Sequence, residues 1–146
     1  GLDKSIAQIN HTLTRQVGAV RGLHFQRPPA AEVKVVSCLQ GEVFDVAVDL
    51  RRGSKTFLHW HGEILSADNA HSLFIPEGFA HGFQALTDDC ELIYLHTGFY
   101  TADREGALNA MDPALAIDWP LDVADMSERD SNHPMLNPNF EGVAVL

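Results

Sequence analysis

An all-β sandwich or barrel is the fold class that the sequence predicts. Short apolar runs recur at regular spacing through the first two-thirds of the chain, each bounded by polar turn residues. No alternation of strands with helices is visible, which argues against a parallel α/β sheet. The side-chain alternation is clearest in one run, where apolar and acidic residues take opposite faces: Phe44, Val46, Val48 and Leu50 against Asp45 and Asp49.

The predicted strands follow one another as 17–26, 33–39, 43–50, 56–65, 72–75, 80–86 and 90–96. Gln40-Gly41-Glu42 predicts a hairpin between the second and third of them. Residues 101–146 contain repeated X-Pro pairs, so we expect only short helical turns there. The chain is therefore predicted to be one domain, 1–146, with a β core over about 1–100 and a C-terminal wrap over 101–146.

Composition narrows the class of partner. Twenty acidic residues against ten basic ones give a formal net charge of −10, which argues against nucleic acid or an anionic membrane as the partner. No apolar run is long enough to span a bilayer. Cys38 and Cys90 lie far apart, so neither a zinc cage nor a disulfide framework is indicated. We expect a cytoplasmic protein.

Three segments carry a family resemblance: RGLHFQ at 21–26, GEVFDVAVD at 41–49 and IPEGFAHGF at 75–83. With Asn10-His11-Thr12 before them and 117–120 (IDWP) after them, the chain resembles the dTDP-4-dehydrorhamnose 3,5-epimerase family of the cupin superfamily. The resemblance implies a cupin-type jelly roll, a homodimer and a reaction that needs no cofactor. The implied substrate is a nucleotide-linked 4-keto-6-deoxyhexose, inverted at carbons beside the ketone.

Such a reaction sets clear demands on the site. A base must remove a weakly acidic proton alpha to the carbonyl, while a cation or hydrogen-bond donor stabilises the enolate. An acid on the opposite face must then return a proton, because return from the same side would regenerate the substrate.

The resemblance assigns these roles to His24 as base, Lys34 as enolate stabiliser, Tyr94 as acid and Asp130 as the carboxylate that orients the base. His24 could instead be a structural histidine, Lys34 an outward lysine, and Tyr94 an ordinary buried tyrosine. Tyr100 is the alternative phenol. The segment 127–130 (SERD) also fits a helix capping box, which would give Asp130 a structural role.

The same resemblance implies a set of substrate-binding residues: Arg21, Gln8, Asn10, Gln26, His81, Glu105, Arg129 and Tyr100. Arg21 is the natural diphosphate partner because its guanidinium can donate two parallel hydrogen bonds. His81 could equally be a structural residue that holds its loop.

No metal is expected at the position where many cupins bind one. That site uses two histidines, a glutamate and a later histidine, whereas here Gln26 and Lys34 replace a histidine and the glutamate. His59, His61 and Glu63 offer ligand types on one strand face, but they lie opposite apolar positions and are predicted to be solvated.

Two departures from the family pattern favour alternatives. Family members typically begin with a further N-terminal segment that helps bind the nucleotide, so we expect a trimmed or naturally short member. Leu95 stands where a lysine often follows the acid tyrosine. Both departures support a non-catalytic sugar-nucleotide-binding cupin as one alternative. A 4-keto-sugar isomerase on the same fold is a second alternative, and a metal-dependent cupin oxygenase, which would rest on His59, His61 and Glu63 alone, is a third.

Overall fold

A computed structural model describes residues 2–145. Its elements, in chain order, are β1 (Gln8–Thr14), β2 (Val20–Gln26), β3 (Lys34–Gln40), β4 (Glu42–Asp49), β5 (Trp60–Ser66), β6 (Ser72–Ile75), β7 (Phe79–Ala85), β8 (Cys90–His96), a 3-10 turn (Ala102–Arg104), β9 (Glu105–Ala107) and α1 (Glu128–Ser131). The all-β prediction is confirmed.

The strands form two sheets, which enclose the interior of a jelly roll. Within the described residues, one sheet has the order β1-β8-β3-β6 and the other β5-β4-β7-β2-β9. All strand pairs within them are antiparallel. This is the double-sheet arrangement that the cupin resemblance implies.

The predicted hairpin at Gly41 is wrong. β3 and β4 belong to different sheets, so the chain crosses from one sheet to the other at this turn. Gly41 has φ +78°, and a Cβ there would lie 2.6 Å from Thr87 Oγ1. The glycine thus allows a sharp sheet-to-sheet corner, and a hairpin has the same local sequence signature.

Strand ends also differ from prediction. The run 17–26 begins as a strand only at Val20, because Gly18 adopts φ +84° in a turn. The run 56–65 begins only at Trp60, after Leu58 at φ +63°. β1 and β9 were not predicted: most of β1 is exposed and lacks apolar alternation, and β9 spans only Glu105–Ala107.

Apolar residues form two clusters, one on each side of the five-stranded sheet. The inner cluster, between the sheets, includes Val43, Leu65 and Phe83. The outer cluster includes Val46, Val48 and Leu50 and is covered by the C-terminal segment, with Leu108, Leu115 and Trp119 among its contacts. β4 is consequently buried on both faces, so Asp45 and Asp49 are buried rather than solvated.

Two further sequence expectations can be compared with the structure. Cys38 and Cys90 are both free and buried. Across residues 2–145, no helix has the length and apolar character needed to cross a membrane.

Candidate active site

A cavity opens between the two sheets and has two adjoining parts. We call the first, of about 340 Å³, the Tyr94 chamber, because Tyr94 lines it together with Arg21 and His81. The second, of about 450 Å³, is the Tyr100 chamber, lined also by Glu105 and Arg129. Both chambers share four lining residues: Asn10, His24, Lys34 and His96.

Strand register explains which side chains face this cavity. In the four-stranded sheet, Lys34 pairs with His96 and Asn10 with Tyr94. In the five-stranded sheet, His24 pairs with His81. Since directly paired residues project from the same face of a sheet, Lys34 and Tyr94 project from one wall of the cavity and His24 from the other.

His24 forms a dyad with Asp130. The imidazole Nε2 lies 2.7 Å from Asp130 Oδ1, and the carboxylate is buried while the imidazole is about one-third exposed. A carboxylate at Nε2 holds the proton there, which leaves Nδ1 as the basic nitrogen. A carboxylate in this position also stabilises the imidazolium that forms when the base takes up a proton.

Asp130 is an anion fixed by several donors. Burial would raise the pKa of its carboxyl, but the hydrogen bonds from His24 and from the Gly22 N–H outweigh it and lower the pKa to about 2. The backbone N–H of Asp130 donates to Ser127 Oγ, so the N-cap half of the predicted capping box is present. The Asp130 side chain itself is directed to the dyad, so the two interpretations of 127–130 coexist.

Gly22 is required by the close approach of two backbones. A Cβ at this position would lie 2.6 Å from the His81 carbonyl oxygen and 2.7 Å from Gly82 Cα, and its φ is +105°. The β2–β7 register shifts between Arg21 and His24 at this point. Gly22 therefore allows β2 to bulge while its N–H reaches Asp130.

Lys34 is nearly buried and forms an ion pair with Glu32, with 3.5 Å between Nζ and Oε1. The other Glu32 oxygen lies 3.1 Å from His96 Nδ1. The outward alternative for Lys34 is therefore wrong: its side chain lies in the cavity with only 13% of its surface exposed.

Tyr94 lies between two histidines. Its ring stacks on His96 with 6.0 Å between centroids and meets the His81 edge at 5.9 Å. Burial raises the pKa of the Tyr94 phenol, so the phenol keeps its proton at neutral pH. His81 in turn lies 2.7 Å from Asp45, a second buried histidine–carboxylate pair.

The Tyr100 chamber contains a different phenol. The Tyr100 hydroxyl donates to Glu105 at 2.7 Å, and this hydrogen bond raises the pKa of Tyr100. Burial would raise the pKa of Glu105, but its bonds to Tyr100 and Arg129 lower it. Gln8 accepts a hydrogen bond from the Tyr100 backbone N–H at 3.0 Å.

Two predicted binding residues make internal contacts. Arg21 lines the Tyr94 chamber and bonds to Asp125 at 2.8 Å. Gln26 donates to the carbonyls of Ala30 and Phe99 and accepts from the Thr101 N–H. The Gln26 amide thus anchors the loops around the Tyr100 chamber.

The alternative metal cluster lies outside this cavity. His59 and His61 are exposed, and the His61 imidazole contacts Glu63 at 3.2 Å. Within 2–145, the ligand atoms of another trio, His24, Asp130 and His133, do converge within 4.8 Å. That trio contains both residues of the His24–Asp130 dyad and does not include Gln26 or Lys34, which occupy cupin metal positions.

Sequence reasoning missed two residues that line the cavity, Glu32 and His96. It also missed two that contact the cavity histidines: Asp45 beside His81 and His133 beside His24. Asp45 carried a signal, because an acid on a strand with one apolar face must lie on the other face. His96 shares the Tyr94 face by simple alternation. Glu32 and His133 follow no regular strand pattern, and the tertiary fold alone brings them here.

Known proteins resemble this chain in sequence. The model of the dTDP-4-dehydrorhamnose 3,5-epimerase family matches residues 1–138. A curated relative of that name from Salmonella typhimurium is 44% identical over 138 residues, covering 94% of this chain and 75% of the relative.

Two solved structures are similar in fold and sequence. The dTDP-4-dehydrorhamnose 3,5-epimerase of Bacillus anthracis, with TDP and pyrophosphate bound, has a TM-score of 0.90 and 41% identity, covering 92% of this chain and 77% of that one. The Legionella pneumophila dTDP-6-deoxy-D-glucose-3,5-epimerase, in complex with dTDP-4-keto-L-rhamnose, has a TM-score of 0.86 and 42% identity, covering 92% and 71%.

Proposed function

The chain belongs to the dTDP-4-dehydrorhamnose 3,5-epimerase family, and on that premise we propose that it epimerises a dTDP-linked 4-keto-6-deoxyhexose in deoxysugar biosynthesis. Its relatives are isomerases of this kind. The reaction needs a base, an acid and a stabiliser of negative charge, and side chains of this chain can supply all three.

The observation that carries the proposal is the position of the candidate base and acid on opposing walls. His24 belongs to β2 of the five-stranded sheet and Tyr94 to β8 of the four-stranded sheet. A sugar ring held between the sheets would present one face to each of them. Inversion requires this arrangement, because the proton must leave from one face and return to the other.

The first step is proton abstraction. His24 Nδ1 takes the proton from the carbon beside the ketone, and the C–H electron pair moves into the enolate. Asp130, ionised at neutral pH because its pKa is about 2, balances the imidazolium and keeps the ring in one orientation. Lys34, on the opposite sheet, stabilises the enolate oxygen.

The second step returns a proton to the opposite face. The Tyr94 phenol donates to the enolate carbon while the ketone re-forms, and solvent then restores the phenol and the free imidazole. The raised pKa of Tyr94 suits a group that must enter the reaction protonated. Tyr100 is less suited to this role, because its hydroxyl is bonded to Glu105 in the other chamber.

The nucleotide diphosphate is assigned to the Tyr100 chamber and its edge. Arg129 lies beside Tyr100 there, bonded to Glu105 at 2.9 Å, and an exposed phenol ring offers a stacking surface for a base. Arg21 lines the Tyr94 chamber instead, so in this arrangement it would contact the sugar end of the substrate rather than the diphosphate. The dTDP handle is supported by the nucleotides bound to the two solved relatives.

Single-domain folding, a homodimer and a cytoplasmic location remain predictions. The exposed edge strand β1, with Ile9 62% and Leu13 44% exposed, supports self-association. Light scattering on the purified chain tests the dimer, and a monomer mass at micromolar concentration would contradict it.

Proton NMR in deuterated water tests the function. The purified protein is mixed with dTDP-4-keto-6-deoxyglucose, and the C3 and C5 proton signals are followed. Enzyme-dependent loss of either signal with a new epimer supports the proposal and identifies the carbon. A product with its carbonyl at C3 would instead indicate an isomerase. No exchange with this sugar or its CDP and GDP analogues would indicate a binding protein.

A further inference from the structure

A buried carboxylate, Glu32, connects the candidate enolate stabiliser with the ring packed on the candidate acid. Its two oxygens have different partners: Oε1 lies 3.5 Å from Lys34 Nζ, and Oε2 lies 3.1 Å from His96 Nδ1. All three side chains are largely withdrawn from solvent, with exposed fractions of 7% for Glu32, 13% for Lys34 and 11% for His96.

The fold holds this group rigidly. Lys34 and His96 are direct partners in the β3–β8 register. Just before β3, the Val33 N–H donates to Thr97 Oγ1 and the Thr97 N–H donates to the Val33 carbonyl. These bonds attach the segment carrying Glu32 to the end of β8, so the carboxylate has little freedom to move away from its partners.

Neither partner has another ionic contact to replace Glu32. Across residues 2–145, Glu32 is the one carboxylate within 4.0 Å of the Lys34 amine. The Glu32 bond is also the only side-chain hydrogen bond of His96 in that range, because His96 Nε2 is buried without a partner. A buried charge and a buried ring that rely on one carboxylate lose their orientation when it is removed.

The His96 ring passes this restraint on to Tyr94. The two rings stack at 6.0 Å between centroids, with 17° between their planes. A shift of the His96 ring would therefore move the surface against which the Tyr94 phenol rests. Glu32 thus supports Lys34 directly and Tyr94 through His96.

We propose that Glu32 is a positioning residue for the epimerisation, which holds the Lys34 amine at the enolate oxygen and the Tyr94 phenol at the opposite face of the sugar. This inference rests on the proposed function. Glu32 does not itself exchange protons with the substrate, so its effect on the rate should depend on the presence of Lys34 and Tyr94.

A double-mutant cycle tests the proposal. Glu32→Gln, Lys34→Gln and the double variant are assayed by steady-state initial rates of dTDP-4-keto-6-deoxyglucose turnover, with substrate in excess over enzyme. We expect Glu32→Gln alone to lower kcat by about ten- to hundredfold with KM within about twofold, since misplacing catalytic groups has effects of this size. In the Lys34→Gln background, the same change should lower the rate by less than about tenfold, because only the support of Tyr94 through His96 is left to lose.

Glu91→Gln is the matched control, because Glu91 also contacts a histidine at 3.1 Å but on the solvent side of the same sheet. It should change kcat by less than about twofold. Equal losses from Glu32→Gln in both backgrounds, tracking a lower Tm, would assign Glu32 a structural role and overturn the proposal.

Two outcomes separate this inference from the proposed function. A wild-type protein without turnover overturns both. An active wild type that Glu32→Gln leaves unchanged overturns only the inference. If Glu32→Gln does not fold, Glu32→Asp replaces it, because it keeps the charge but shortens the reach; a wild-type kcat in that variant would also overturn the inference.

Discussion

The same chemical unit, a histidine beside a carboxylate, occurs in the cavity and on the solvent side of the molecule. In the cavity, His24–Asp130 and His81–Asp45 lie at 2.7 Å and His96–Glu32 at 3.1 Å. Outside it, His11–Glu91 lies at 3.1 Å and His61–Glu63 at 3.2 Å. The distances are alike, and the surroundings are not.

Burial is what separates the two groups of pairs. The carboxylates of the cavity pairs are between 0% and 7% exposed, whereas Glu91 is 33% and Glu63 42% exposed. Water screens the attraction within an exposed pair and solvates either group when its partner is removed. A buried group whose partner is removed has no water to replace it, so the protein bears the full cost of desolvating that group. Replacing one partner of a cavity pair should therefore have a large effect on activity or stability, and replacing one partner of an outer pair a small effect.

The largest expected effect is on the rate of alpha-proton exchange. His24→Asn should slow alpha-proton exchange by about 10²- to 10⁴-fold, because it removes the general base. His11→Asn, which breaks an outer pair, should stay within about twofold of the wild type. Exchange is measured by proton NMR in deuterated water, and wild-type exchange in His24→Asn would refute the assignment of the base.

The next largest effect is on stability. Asp45→Ala should lower the free energy of unfolding by about 3 kcal/mol, because it leaves the buried His81 without its partner. Glu63→Ala breaks the exposed His61 pair and should cost less than about 1 kcal/mol. Urea denaturation of the two variants measures the difference, and equal costs would remove the distinction between the groups.

A smaller effect concerns pH. The pKa of Asp130 is lowered to about 2, so on acidification the unfolded chain takes up this proton before the folded one does. Its contribution, about 2 kcal/mol, is fully present above about pH 4 and is lost as the pH falls towards 2. Unfolding free energies measured at pH 6 and pH 3 should therefore differ less in Asp130→Asn than in the wild type; an identical difference would contradict this.

The smallest effect should come from salt. The outer pairs are screened by ions, so raising the ionic strength from about 0.01 M to 1 M should remove what they contribute. Glu91→Gln should consequently differ from the wild type by about 0.5 kcal/mol at low salt and by nothing measurable at high salt. A difference that persists at high salt would show that this pair behaves as a buried one.

The sequence predicted the strands well where one face is apolar, as in β4, β6 and β8. It could not reveal that the β3–β4 turn is a corner, because a corner and a hairpin need the same glycine. It also missed β1, whose role comes from pairing with β8 rather than from its own burial.

The site residues were predicted mainly from sequence motifs, so residues outside those motifs were missed. His24, Lys34 and Tyr94 lie on predicted strands, but alternation left open which side chains face a cavity, and the family resemblance assigned their roles. Asp130 comes from a short helix far along the chain, and only the family resemblance indicated it. Strand alternation placed Asp45 opposite the apolar face of β4, but it could not show that His81 would be its partner. Nothing in a linear pattern distinguishes the Glu32 carboxylate from that of Glu91 outside.

The central claim is that base and acid act from opposing walls of the cavity, and Tyr94→Phe tests it most directly. In deuterated water, this variant should still exchange the alpha proton, because His24 can abstract it and return deuterium to the same face, but it should form no epimer. Exchange and epimerisation are read from one proton NMR time course, with Tyr100→Phe as the matched variant. Epimer formation by Tyr94→Phe at the wild-type rate would contradict the claim.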